Sequence, residues 1–235
     1  MKNLKINLNQ YKNVWFTSDW HLGHNKEFLY GPRNCSSREE YVKYMVDMIN
    51  AQAGPNDLII HLGDMCLTST MDEYISWLAQ IKCNNIWSLT GNHDNRWIEL
   101  EKIRDLKGCH VNDSYIRKLW CKDMRWLGEY SEMLFMEPQQ KPNVKCVRRH
   151  ITLCHYPLQI WNKSHHGTWH LCGHSHGSFE ETSVYNPTIK RFDCGVENAL
   201  EWSKNEAVMF HYDDVKYIMN KKQTFNGDHH NTETT

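Results

Sequence analysis

The sequence lacks long apolar runs. No stretch of its 235 residues approaches the ~18 consecutive apolar residues that mark a membrane span. The first residues, MKNLKINLNQYKNVWF, also lack the continuous apolar core and small-residue cleavage site of a secretory signal peptide. We therefore expect no membrane span and no cleaved leader, and we predict a cytoplasmic protein.

An excess of one charge is also missing, as is any C-x-x-C pair. The formal net charge is -1, so no global positive field exists to hold long duplex nucleic acid. Nine cysteines are many for this length, but their spacing contains neither a zinc knuckle nor a thioredoxin-like motif. We interpret them as reduced thiols of a cytosolic core. No exposed apolar face can be located, so the oligomeric state stays open.

Short apolar runs alternate with amphipathic helical patterns, which predicts an α/β fold. Buried strands are predicted at residues 13–18, in DLIIHLGD and in NIWSLT. Ser37 and Thr70 each open a capping box, so a helix is expected after each of them. A short helix is expected at 97–103. The second half is predicted to be rich in strands, at 115–120, 148–155, 169–172, 191–194 and 207–212.

The domain organisation predicted from this pattern is simple. Residues 1–222 form a single domain, and residues 223–235 form a polar, disordered tail. The segment 121–145 shows no clear periodicity, and we interpret it as an irregular excursion over the surface.

Metal-ligand side chains follow five of the predicted strands. They are Asp19 and His21 in SDWHLGH, Asp64 in LGDM, Asn92 in TGNHD, His155 in LCHYP, and His174 and His176 in CGHSHG. Ligand sites of open α/β sheets lie beyond the carboxyl ends of the strands. Mixed carboxylate, imidazole and amide ligands suit borderline divalent metals. Seven ligands suit two ions, with Asp64 as the bridging candidate, and glycines 63, 91 and 173 precede ligands where the backbone must turn or approach closely.

The ordered series D-x-H, G-D, G-N-H-D, H and G-H-x-H resembles the signature of calcineurin-like metallophosphoesterases. It runs from Asp19 to about Val196. The longer forms DWHLGHNKEFLY and LCHYPLQIWNKSHHGTWHLCGHSHG are similar to the small prokaryotic and phage-type members. The resemblance implies a four-layer αββα sandwich with a dinuclear metal centre at the strand ends.

The same resemblance implies how two divalent ions are held. Manganese is expected, with iron, zinc and nickel as alternatives. The ligands of the first ion would be Asp19, His21, Asp64 and His176, and those of the second would be Asp64, Asn92, His155 and His174. A bridging hydroxide would attack phosphorus in line with the leaving group.

Four further residues are assigned to the reaction. His93 is expected to hold no metal and to protonate the leaving group. Asp94 is expected to orient the ring of His93, with a helix N-cap as the alternative. His24 is predicted to reach the phosphoryl group or a metal-bound water, with a packing role as the alternative. Arg33 is predicted to clamp a phosphate oxygen, with a solvated loop arginine as the alternative.

Several other candidate residues are predicted to have structural rather than catalytic roles. His61 and His170 are predicted to be structural or to support the ligands. Trp126, Trp161 and Trp169 are predicted to belong to the core rather than to stack on bases. The basic stretch at 141–149 is interpreted as a solvated edge, with a landing surface for an anionic substrate as the alternative.

The function predicted from these residues is hydrolysis of a phosphodiester. A substrate of small or nucleotide type is expected, such as a cyclic nucleotide or a nucleic-acid end. A phosphomonoesterase or a nuclease could use the same metal centre, and both remain alternatives. A non-catalytic scaffold is a further alternative that the intact ligand set disfavours.

Overall fold

The computed structural model describes residues 4–67, 70–94, 117–119, 121–138 and 145–224. The described strands are β1 (Leu4–Asn7), β2 (Val14–Thr17), β3 (Leu58–His61), β4 (Asn85–Ser88), β5 (Asp123–Trp126), β6 (Tyr130–Met136), β7 (Arg148–Cys154), β8 (Trp169–Cys172), β9 (Arg191–Asp193) and β10 (Phe210–His211). The helices are α1 (Glu27–Tyr30), α2 (Arg38–Gln52), α3 (Met71–Leu78), α4 (Val196–Ser203) and α5 (Tyr212–Lys221).

The described strands form two sheets. One sheet has the order β10-β2-β3-β4-β5, and the other has the order β1-β6-β7-β8-β9. In the first sheet β2 to β5 are parallel and β10 is antiparallel. In the second sheet β7, β8 and β9 are parallel. The carboxyl ends of β2, β3 and β4 therefore share one edge, and those of β7 and β8 share another.

Apolar side chains fill the space between the two sheets. The rings of Phe16 on β2 and Phe135 on β6 lie 5.7 Å apart, and those of Phe192 and Phe210 lie 4.8 Å apart. A second buried cluster packs α2 and α3 against the outer face of the first sheet. All four residues of β3 are buried as a result, which explains its unbroken apolar run LII. The two sheets flanked by helices confirm the predicted sandwich.

The two capping boxes begin helices as predicted. Ser37 accepts a hydrogen bond from the backbone N–H of Glu40 at 3.2 Å, and α2 begins at the next residue. Thr70 caps α3 in the same way through the N–H of Glu73, at 3.3 Å. The carboxylate of Glu40 accepts from the backbone N–H of Ser36 rather than that of Ser37. Each cap satisfies an N–H group that has no partner inside the helix.

Most predicted strands are confirmed, but the middle of the chain differs from the prediction. The segment 121–145 contains β5 and β6, so its interpretation as irregular was wrong. The pairing partners of these strands lie elsewhere in the chain: β5 pairs with β4, and β6 pairs with β1 and β7. The predicted strand at 115–120 is also wrong where it is described, because 117–119 are helical. The predicted strand at 207–212 shortens to β10 because α5 begins at Tyr212. The predicted helix at 97–103 lies outside the described residues.

The first two residues of the predicted tail, 223 and 224, are described by the structure. The backbone N–H of Gln223 donates to the carbonyl of Thr188 at 2.6 Å, and Gln223 forms a β-bridge with Ile189. The remaining tail from 225 onward lies outside the described residues. The assignment of residues 1–222 to a single domain stays a prediction.

The cysteines that the structure describes are free thiols, as predicted. Six of them are buried: Cys35, Cys66, Cys83, Cys154, Cys172 and Cys194. Among the described residues, no helix combines the length and apolar content that crossing a membrane requires.

Candidate metal centre

The seven predicted ligands come together where strands of the two sheets end. Asp19 and His21 follow β2, Asp64 follows β3, and Asn92 follows β4. His155 directly follows β7, and the pair His174 and His176 follows β8. Five loops from two sheets thus deliver side chains to one place, although the ligands are spread over more than 150 positions of the chain.

One group of ligand atoms surrounds Asp19. The Nε2 atoms of His21 and His176 each lie 3.8 Å from Oδ1 of Asp19. The same two nitrogen atoms lie 3.1 Å from each other. One ligand atom from each of the three residues fits within a span of 4.8 Å. This spacing suits a single divalent cation held between them.

A second group surrounds the amide of Asn92. Its Oδ1 lies 3.1 Å from Nε2 of His155 and 3.1 Å from Nδ1 of His174. The same Nε2 atom of His155 lies 3.4 Å from Oδ2 of Asp64. An amide oxygen, a carboxylate and two imidazoles therefore face one point.

Asp64 links the two groups. Its Oδ2 lies 3.7 Å from Nε2 of His21 in the first group and 3.4 Å from Nε2 of His155 in the second. Its other oxygen, Oδ1, accepts a hydrogen bond of 2.8 Å from the backbone N–H of His93. The position between the two groups is the one expected of a bridging carboxylate.

The protonation chemistry of the buried groups fits bound cations. Burial and, to a lesser extent, the nearby Asp193 carboxylate together raise the pKa of Asp19 to about 7. Ionising these two buried acids side by side is unfavourable unless a positive charge lies with them. Burial lowers the pKa of His21 to about 3, so its ring is neutral and can bind a metal as it stands, whereas the pKa of His176 is raised to about 9, so that ring must lose a proton on binding. The residues present therefore fit two divalent metal ions.

Backbone conformation at the ligands is unusual. Five of them have positive φ: Asp19 at 57°, His21 at 45°, Asp64 at 60°, His174 at 71° and His176 at 48°. This region is rare for residues with a side chain. Strain of this kind is held in place by the surrounding fold and concentrates at functional sites. Here it turns side chains from both sheets toward a common centre.

The glycines before the ligands are needed for close approach, as predicted. A Cβ on Gly173 would lie 2.6 Å from Oδ2 of Asp19 and would also collide with Ser18. A Cβ on Gly91 would collide with the Asp64 carboxylate. Gly63 has a φ of +105°, and a Cβ there would lie 2.7 Å from the backbone nitrogen of Gly91. A side chain at Gly173 or Gly91 would push Asp19 or Asp64 out of place, and one at Gly63 would press on Gly91 and the ring of His155.

His93 lies beside the first group of ligands. Its side chain is exposed to the cleft, and its ring centroid is 5.5 Å from that of His21. Its ring makes no hydrogen bond to another described residue. A free imidazole next to the metal ligands is available to a substrate.

Asp94 does not contact the ring of His93, which corrects the predicted orienting role. It is buried, and its Oδ2 accepts hydrogen bonds from the backbone N–H groups of Asp64 at 2.5 Å and Gly91 at 2.8 Å. Its Oδ1 accepts from the N–H of Met65 at 2.8 Å. Asp94 turns inward because the chain doubles back after β4, so it fixes the loops that carry Asp64 and Asn92. The helix whose N-cap was the alternative role lies outside the described residues.

Arg33 is not a free phosphate clamp, which corrects a second prediction. The side chain is buried and forms an ion pair with Glu197 and a hydrogen bond with the hydroxyl of Tyr41. Glu197 in turn lies 3.3 Å from Nδ1 of His176. Burial lowers the pKa of His176, but the Glu197 carboxylate outweighs burial and raises it to about 9. Arg33 therefore reaches the candidate metal centre only indirectly, through its contact with Glu197 and the contact of Glu197 with His176.

His24 lies at the edge of the site. Its half-buried ring is 5.9 Å from the ring of His21, and its Nδ1 accepts from the backbone N–H of Lys26 at 3.1 Å. With His93 and His176 it lines a cleft of 770 Å³ that opens beside the ligands.

Two acidic residues that support the site were missed in the sequence. Glu197 holds the ring of His176, as described above. Asp193, at the end of β9, is buried and accepts from the hydroxyl of Ser175 at 2.5 Å and the N–H of Gly195 at 2.7 Å. It thereby fixes the loop that carries His174 and His176. The signal was present in DCGVE, where acidic residues again follow a strand end.

The structural roles predicted for the other histidines and for the tryptophans are mostly confirmed. His170 is buried between the carbonyls of Thr152 and Tyr156, each 3.2 Å away. His61 is buried and accepts from the N–H of Gly63 at 3.2 Å. Among the tryptophans, Trp161 and Trp169 are buried. Trp126 is 43% exposed at the end of β5 and does not belong to the core. Arg149, in the basic stretch, pairs with Glu137.

Comparisons with known proteins agree with this site. The family model described as calcineurin-like phosphoesterase matches residues 12–180, a range that contains all seven candidate ligands. No curated protein matches the chain significantly. Among solved structures, that of AQ665, a protein of unknown function from Aquifex aeolicus, is similar, with a TM-score of 0.50 and 15% sequence identity. The similarity covers 88% of this chain and 98% of that one, and it concerns the fold alone. On the strength of the family match, this chain belongs to the calcineurin-like phosphoesterase family of metal-dependent phosphoester hydrolases.

Proposed function

We propose that the protein hydrolyses a phosphodiester of small or nucleotide type. The reaction uses two divalent metal ions, for which manganese is the first candidate, and His93 acts as the general acid. The single observation that carries this proposal is the convergence of seven candidate ligand side chains into two groups, one around Asp19 and one around Asn92, with Asp64 between them. Two bound metal ions supply a water of lowered pKa and neutralise charge on the phosphoryl oxygens.

The ligands divide as the distances suggest. Asp19, His21 and His176 would hold one ion, and Asn92, His155 and His174 would hold the other. Asp64 would contact both. Asp94 and Asp193 keep the ligand loops in position through their backbone hydrogen bonds.

His93 is proposed to donate the proton that the leaving oxygen needs. Its ring lies in the cleft beside His21 and is free to contact a substrate. Its backbone is fixed by the hydrogen bond to Asp64. General acid catalysis of this kind contributes ~10²–10⁴-fold to a rate.

The charge of the cleft supports a diester over a monoester. A phosphomonoester carries about two negative charges near neutral pH, and a diester carries one. Arg33, which could neutralise the second charge, is committed to Glu197. Apart from the metal ions, the described residues of the cleft therefore offer a monoanionic diester a better charge match than a dianionic monoester. The buried free thiols support a reducing location such as the cytoplasm.

A chromogenic assay tests the proposal. Metal-free protein, prepared with chelator, is given Mn²⁺ and either bis(4-nitrophenyl) phosphate or 4-nitrophenyl phosphate. We expect turnover that depends on metal and favours the diester. A preference for the monoester would overturn the substrate class, and absence of metal-dependent turnover of both esters would overturn the enzymatic function.

A further inference from the structure

The cleft beside the metal centre is larger than a phosphoryl group requires. Its volume of 770 Å³ falls in the range of pockets that bind whole small molecules. It lies between two helices, with Phe28 and Leu29 of α1 on one side and Leu200 and Glu201 of α4 on the other. The substrate group attached to phosphorus therefore has a place to bind.

Phe28 offers an aromatic surface within this cleft. Phe28 is 74% exposed, whereas most phenylalanines are buried in the core of a protein. Its ring lies 5.2 Å from that of His24, edge to face, and His24 lies 5.9 Å from His21. The exposed ring is thus two ring contacts away from a metal ligand. A planar group attached to a phosphoryl group at the metals would be within its reach.

Polar groups line another part of the same cleft. The carboxylate of Glu201 and the amide of Asn205 are both exposed there. The backbone N–H of Asn205 donates to the carbonyl of Leu200 at 2.7 Å, which fixes Asn205 at the end of α4. A carboxylate and an amide can pair with the N–H groups and ring nitrogens at the edge of a base. One apolar face with a few polar groups at its end is the usual composition of a site for a heteroaromatic ring.

The charge of the cleft favours a neutral group over a second phosphate. Of the described residues that line it, Arg33 is the one permanent cation, and it is paired with Glu197. Glu201 adds a negative charge. A second phosphate would therefore be repelled by the Glu201 carboxylate. No unpaired arginine or lysine among the described lining residues would offset that repulsion.

We propose that this cleft binds the nucleoside part of the substrate, with its base stacked on Phe28 and the polar edge of the base at Glu201 and Asn205. The proposal rests on the proposed function for the position of the phosphoryl group at the metals. It makes Phe28 a specificity residue.

Equilibrium binding tests the proposal without requiring turnover. Adenosine 5′-monophosphate and inorganic phosphate are titrated into the Mn²⁺-loaded protein by calorimetry. Stacking of one base on one aromatic side chain corresponds to roughly 5- to 150-fold in affinity. We expect Phe28→Ala to lower the affinity for adenosine 5′-monophosphate by about that factor relative to the affinity for phosphate. Phe28→Tyr should retain the wild-type affinity for the nucleotide. Tyr185→Ala removes another exposed aromatic ring that does not line the cleft, and it should leave the ratio unchanged.

The proposal would be overturned if the wild-type protein bound the nucleotide no better than phosphate, or if Phe28→Ala left the ratio of the two affinities unaltered. Adenosine 5′-diphosphate binding at least tenfold tighter than the monophosphate would contradict the preference for a neutral group. Failure of the chromogenic assay would instead count against the proposed function, so the two failures are distinguishable.

Discussion

Oε1 of Glu197 lies 3.3 Å from Nδ1 of His176, and the other ring nitrogen of His176 faces Asp19 and His21. A carboxylate on the outer nitrogen fixes the orientation of a ligand imidazole and raises its basicity. Arg33 holds Glu197 from the opposite side. The helix α4 thus borders the candidate metal centre although it contributes none of the seven candidate ligands.

Glu197→Gln should therefore weaken metal binding. Loss of such an outer carboxylate lowers metal affinity by about 10- to 100-fold. Competition with a fluorescent chelator measures the affinity for Mn²⁺. Glu206→Gln is the control, because Glu206 is exposed and makes no described contact with the ligands. Equal affinities in the two variants would refute the support role.

His93→Ala should separate metal binding from turnover. The ring is not a proposed ligand, so the metal content should stay at the wild-type value. The turnover number for a diester should fall by ~10²–10⁴-fold, and more for a basic leaving group such as an alkoxide than for 4-nitrophenolate. Elemental analysis and kinetics with a series of leaving groups measure both effects. A variant that lost its metal would mark His93 as a ligand instead.

Asp94→Asn should act on the fold of the ligand loops. The side-chain amide has one accepting oxygen instead of two, so at least one of the N–H groups of Asp64, Met65 and Gly91 loses its partner. A buried N–H without a partner costs about 1–3 kcal/mol. Urea unfolding of the metal-free protein measures the free energy of unfolding. Unaltered stability with a selective loss of turnover would restore the orienting role that the sequence suggested.

Gly173→Ala should disrupt the first metal position. The added methyl group would lie 2.6 Å from Oδ2 of Asp19, so the carboxylate must move. We expect affinity for one of two Mn²⁺ ions to fall at least tenfold, as seen in a calorimetric titration. Gly54→Ala is the matched control, since a Cβ there would meet no atom within 4 Å. Two full-affinity sites in Gly173→Ala would contradict the close packing described here.

The sequence predicts the strands that carry ligands because each is a short apolar run that ends in polar residues. β3 and β4 are buried on both faces, so their side chains leave a continuous apolar signal. β5 and β6 are different, because their sequences DMRW and YSEMLFM mix charged and apolar residues. Their assignment depends on pairing with distant strands, which a local pattern does not encode.

The site divides in the same way. The convergence of the seven candidate ligands is predictable because each of them follows a strand end. Asp94 was assigned wrongly because adjacency to His93 in sequence implies nothing about contact, and the turn at Gly91 directs its side chain inward. Glu197 was missed because it reaches His176 across 21 positions from a helix that carries no ligand.

A diffraction experiment on crystals grown with Mn²⁺ tests the central claim most directly. Data collected at the manganese absorption edge locate the ions without any assumption about activity. We predict two anomalous peaks roughly 3.5–4 Å apart, one beside Asp19, His21 and His176, the other beside Asn92, His155 and His174, with Asp64 in contact with both. A single peak, or no peak among these seven residues, would contradict the account.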